Sequence, residues 1–226
     1  MNRLHQIRLV IRNTFKDPFS GLSHLGGALL SVAGLVLLLV YADRFATPKH
    51  LVTFAIFGAA LILLYSASAL YHLLKVSEQV SQWLRRIDHM MIYVLIAGTY
   101  TPVCILGLTG AWGLTLLITV WVLAVAGIIM KIVWFGAPRW LSTGIYLAMG
   151  WLVVFAMYPL IHSLPVGALT WLCIGGLMYT LGAVVYGSKW PPLSCPWFGF
   201  HEVFHVFVLA GSLGHFWMMF KYLMYI

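Results

Sequence analysis

Seven stretches of this chain are apolar almost without interruption, spanning residues 22–41, 51–74, 87–107, 112–130, 141–161, 168–187 and 200–224. Each is close to the ~20 residues that a helix needs to cross a hydrocarbon core of ~30 Å. None alternates apolar and polar residues as a barrel strand would, so helices are predicted throughout. Only short polar joints separate them, which leaves little sequence for a soluble domain. The predicted fold is all-α, an integral membrane bundle of seven transmembrane helices over residues 22–226, preceded by a segment of residues 1–21. In that segment Leu4, Ile7, Ile11 and Phe15 recur at helical spacing among basic residues, which predicts an amphipathic helix lying on the membrane surface. It runs into a full-length apolar span without an A-x-A cleavage site, so no removable signal peptide is expected.

Composition agrees with this pattern: 62% of the residues are hydrophobic and 8% charged, outside the range of an ordinary soluble domain. The few charges are placed asymmetrically. Arg3, Arg8, Arg12, Lys16, Lys75, Arg85, Arg86, Lys131, Arg139 and Lys189 fall on one side of the predicted bundle, and only Arg44, Lys49 and Lys221 on the other. The positive-inside rule then puts the N-terminus in the cytoplasm and the C-terminus outside. The net charge of +8 is read as attraction to anionic lipid head groups rather than to nucleic acid. Cys104, Cys173 and Cys195 are too few and too scattered for a disulfide framework or a thiolate metal site, and are read as small buried apolar residues.

With orientation set, the rare polar residues can be placed by depth. Ser68 and His72 lie at the cytoplasmic end of the second span, Asp88 and His89 near the cytoplasmic start of the third, and His201, Glu202 and His205 in the first turns of the seventh. The last three belong to the run HEVFH, which fits the H-E-x-x-H pattern of helical zinc proteases. A protease would need a third ligand further along the chain. After His205 there is no Asp or Glu, and His215 is ten residues, ~15 Å of helix, beyond it. His72 is the better third ligand, because it shares the depth of the helical pair His201 and His205. The three histidines would leave a fourth position open, as catalytic zinc sites do. Asp88 could hold a bound water or orient a ligand.

SALYHLL, then DHMMIYVLIAGTYTP, then HEVFHVFVLAGSLGHF, in this order on seven predicted spans, resemble the hemolysin III family. That family is the bacterial branch related to the progestin and adipoQ (adiponectin) receptors and to alkaline ceramidases. The resemblance implies zinc bound by His72, His201 and His205, with Asp88 near the zinc-bound water and Ser68 matching the serine four residues before the first ligand. It also implies residence in the bacterial cytoplasmic membrane. The acidic residue expected before the first span has a weaker counterpart in Asp17.

These residues also have plainer readings. The histidines could sit with their rings among the head groups. Asp88 could favour a helix N-terminus or pair with Arg85 or Arg86, and Ser68 could be a packing residue. Glu202 is read as an interfacial carboxylate facing Lys189, and His215 as part of the bundle interior or of a cavity wall. His24 and His89 share the depth of the cluster but match no ligand position. Three functions follow. The first is a zinc-dependent hydrolase of lipid amides or esters at the cytoplasmic membrane edge, with Asp88 and Ser68 as catalytic residues. The second is a non-catalytic lipid-sensing or membrane-homeostasis protein stapled by zinc. The third, a cytolytic pore, fits seven resident apolar spans least.

Overall fold

A computed structural model of the chain describes residues 14–108, 110–134, 136–193, 195 and 198–226. Among these, seven helices are long and apolar enough to cross a membrane: α1 (Pro18–Phe45), α2 (Pro48–Leu73), α3 (Glu78–Gly107), α4 (Gly110–Val133), α5 (Arg139–Ser163), α6 (Val166–Ser188) and α7 (Phe200–Tyr225). The all-α prediction is met, with no β-strand among the described residues. Of the surface helix predicted from Leu4, Ile7, Ile11 and Phe15, the first three positions lie outside the described residues, and Phe15 is not helical.

Local chemistry sets the helix starts. Pro18 and Pro48 occupy the first helical positions of α1 and α2, where a missing N–H costs nothing and φ is already helical. Before α2, the Thr47 N–H donates to Nδ1 of His50 at 3.3 Å, and Pro138 and Pro165 precede α5 and α6. The helices run past the apolar stretches that announced them, most of all in α3. Its amphipathic opening, EQVSQWLRR, adds more than two turns, so Asp88 lies ten residues inside the helix, roughly 15 Å from its start. That removes the helix-terminus reading of Asp88.

Each helix packs on the next, and α7 closes the bundle against α1. Close approach depends on small residues, as membrane helices require. A Cβ at Gly98 would collide with Ala60, and one at Gly127 with the Tyr93 ring. Large apolar side chains such as Leu30, Val133 and Phe155 cover the outside of the bundle, the surface that hydrocarbon would solvate. Of the cysteines, Cys104 is buried as expected, whereas Cys173 and Cys195 are exposed. Cys173, on α6, is among the residues that line a cavity within the bundle.

Helix α5 is broken over Leu152–Ala156, where the backbone tightens into a 3₁₀ segment. The Tyr100 hydroxyl of α3 repairs the break, donating to the Gly150 carbonyl at 2.7 Å and accepting the Val153 N–H at 2.8 Å. Freed backbone groups in an apolar medium need such partners.

Candidate metal centre

Three helix ends meet at one end of the bundle. His72 lies one residue before the end of α2, and His201 and His205 occupy the first turns of α7. Successive positions on a helix advance about 100°, so residues four apart share a face, and α7 turns both its histidines toward His72. The ring centroids of His72 lie 5.0 Å from those of His201 and His205, which are 4.6 Å apart. One ligand atom from each residue lies within 4.8 Å of the other two. Nε2 of His72 and Nε2 of His201 face each other at 3.3 Å, and the buried Nδ1 of His205 has no hydrogen-bond partner among the described residues. The triad could hold a metal ion.

Asp17 proves to be part of this centre. Its backbone N–H donates to the His72 carbonyl at 2.8 Å, which lays the residue before α1 along the end of α2. Its carboxylate then accepts from Nδ1 of His72 at 3.0 Å. That hydrogen bond holds the half-exposed Asp17 carboxyl below its ordinary pKa, against the opposing effect of partial burial. With Nδ1 carrying the proton, Nε2 of His72 keeps its lone pair for the centre. Lys16 steadies the same segment, with Nζ 3.7 Å above the Tyr71 ring and 3.2 Å from the Ser81 hydroxyl.

Glu202, expected to face Lys189, points elsewhere. Its carboxylate accepts from the Gly199 N–H and from the Ser20 hydroxyl, both at 2.8 Å. It therefore caps the start of α7 and ties that helix to α1. His24, expected at the depth of the cluster but at no ligand position, stacks its ring on His205 with centroids 3.7 Å apart. Both of its nitrogens are buried without a hydrogen-bond partner among the described residues. Its only sequence signal was a histidine inside an apolar span at the right depth.

A cavity of about 470 Å³ extends from the centre into the bundle. His24, His201, His205, Ser68 and Asp88 line its end. Deeper in, the wall is largely apolar, and His215 forms part of it. Trp151 and Val154 of α5 and Leu177 of α6 line the cavity while also being exposed on the outside of the bundle, so the seam between these helices is its lateral opening. His72 lies behind the lining, against Asp17.

A model of the family described as haemolysin-III related matches residues 12–216. The chain is 39% identical over 210 residues to a hemolysin-3 homolog of Bacillus subtilis (strain 168), covering 92% of this chain and 95% of that protein. It is 37% identical over 195 residues to hemolysin-3 of Bacillus cereus, covering 85% of each. Similarity at 26% identity over 190 residues extends to the adiponectin receptor protein of Drosophila melanogaster, covering 75% of this chain and 42% of the receptor.

Proposed function

The chain belongs to the haemolysin-III-related family of multi-pass membrane proteins, and from that premise we propose that it is a zinc-dependent hydrolase of lipid amides or esters. In this reading it resides in a bacterial cytoplasmic membrane, with the metal centre at the cytoplasmic edge. The observation that carries the proposal is the 3.3 Å separation of the His72 and His201 Nε2 atoms at the polar end of an apolar cavity. Two nitrogens each about 2.05 Å from one tetrahedral zinc lie roughly 3.3 Å apart. Three imidazoles with no thiolate and an open fourth position suit that ion.

When bound, zinc would supply Lewis-acid polarisation and lower the pKa of a water to about 7. The chain's own residues do the rest. His72, His201 and His205 hold the ion, and Asp17 keeps His72 in the tautomer and orientation that ligation needs. Asp88 is the proton acceptor for water as its oxygen adds to the acyl carbon, and returns that proton to the departing amine or alcohol. Ser68 positions the Asp88 carboxylate. The apolar cavity takes the acyl chain, which enters from the membrane through the seam between α5 and α6.

A second reading has its own support. Asp17 links the segment before α1 to α2, and Glu202 links α1 to α7, so an ion shared by α2 and α7 would complete a purely structural staple. Substituting Asp88→Asn separates the two. Wild-type protein loaded with zinc, offered acyl-amide and acyl-ester lipids in nanodiscs, is expected to release fatty acid. Asp88→Asn should keep the metal and lose release. A wild type that releases none from any of these lipids sinks the hydrolase and leaves the staple.

A further inference from the structure

Lys131 is 3% exposed, close to the end of α4, and it lines the cavity rather than the outside of the bundle. Setting membrane orientation requires only basic residues near the span ends, so orientation does not account for burying this one. A buried cation is costly unless it is paired. The one hydrogen bond of Lys131 among the described residues goes from Nζ to the neutral Ser142 hydroxyl at 2.6 Å. An ammonium has three donors, so two remain.

Helix α5 brings complementary groups to the same wall. Arg139, Ser142 and Thr143 stand at positions i, i+3 and i+4, one face of the helix, and all three line the cavity. The Arg139 guanidinium is held over the Tyr186 ring at 4.9 Å, and its Nη1 donates to the Tyr186 carbonyl at 3.5 Å. This fixes its place without cancelling its charge. The Thr143 hydroxyl is buried with no hydrogen-bond partner among the described residues. Against Lys131, Arg139 and Arg85, the cavity lining contains one carboxylate, Asp88.

We propose that Lys131, Arg139, Ser142 and Thr143 form an oxyanion pocket that holds the phosphate of an anionic lipid whose acyl chain occupies the cavity. Phosphate suits the pocket better than carboxylate. A phosphomonoester carries about −1.5 to −2 charges and three acceptor oxygens, which answers two cations and two hydroxyls together. The pocket would select phosphate-bearing lipids over neutral ones with the same chains. The inference rests on the reading of the cavity as a lipid chamber.

Binding is to be measured on the full chain in mild detergent by native mass spectrometry. The probes are phosphatidic acid, diacylglycerol with the same acyl chains, and inorganic phosphate. Phosphatidic acid should bind at least about tenfold more tightly than diacylglycerol, the scale of one hydrogen bond to a charged group. Lys131→Met should bring the two lipids near parity, Lys131→Arg should restore part of the preference, and Lys49→Met, at the far end of the bundle, should leave it intact. If Lys131→Met does not fold, Arg139→Gln and Ser142→Ala decide, each being expected to weaken phosphatidic acid alone. A full preference retained in Lys131→Met, or in both substitutes, overturns the pocket. Inorganic phosphate that binds in a Lys131-dependent way, with no preference between the lipids, overturns the lipid source. No turnover is scored, so selective binding without fatty acid release would sink the hydrolase alone.

Discussion

Nδ1 of His72 lies 3.0 Å from Oδ2 of Asp17, a residue 55 positions away in sequence. Carboxylates on the far side of a ligating histidine fix its ring and raise its basicity, and losing one costs about 10–100-fold in metal affinity. Asp17→Ala should therefore weaken zinc binding by that order, as read by competition with a chromophoric chelator. Asp17→Asn keeps an acceptor for the Nδ1 proton and should lose less. Equal affinity in Asp17→Ala and wild type would make this contact incidental.

Elemental analysis of the purified protein should find about one zinc per chain, since the proposed centre has a single open tetrahedral set. His72→Ala, His201→Ala and His205→Ala should each lose most of it. His24→Ala removes a stacking partner of His205 and not a donor, so it should keep close to a full equivalent. A His24→Ala protein without metal, beside a His72→Ala protein with it, would redraw the ligand set.

Reporter fusions should find the N-terminus and the α2–α3 and α6–α7 connections in the cytoplasm, and Ile226 outside. The basis is the concentration of basic residues on one side. A cytoplasmic report from Ile226 would move the metal centre to the opposite face of the membrane.

Tyr100→Phe removes the hydroxyl that serves both sides of the break in α5. The Val153 N–H and the Gly150 carbonyl would be left without it, at a cost of about 1–3 kcal/mol. Thermal unfolding in detergent should show the loss, at roughly 2–4 °C in Tm per kcal/mol. An unchanged Tm would mean that the break satisfies its own backbone.

The seven spans were legible because continuous apolar runs of this length have few other uses in a folded chain. The histidine triad was legible because helix polarity converts sequence position into depth, and because His201 and His205 share a face. What escaped depends on contacts between segments. Asp17 looked weak beside the acidic residue expected before the first span, and only the path of the chain along the end of α2 gives it His72. Glu202 was read as an interfacial carboxylate facing Lys189, whereas the closing of α7 against α1 offered it Ser20. The third helix was begun too late, because its first turns are amphipathic and carry no apolar run. The cavity had little sequence signal beyond the reading of His215 as a wall residue, being the space left by the spacing of all seven helices.

The proposed ligands are divided between helices made at very different times, with His72 and His201 separated by 129 residues. At about 5–20 residues per second, roughly 6–26 seconds pass between the emergence of the first donor and the arrival of the other two. Throughout that interval the nascent protein offers a single imidazole of the set, a poor trap for any ion. Capture becomes possible only when α7 has been threaded beside α1 and α2. Occupancy of the proposed centre would thus mark completed synthesis, and a product halted before α7 would be left metal-free with its bundle unclosed.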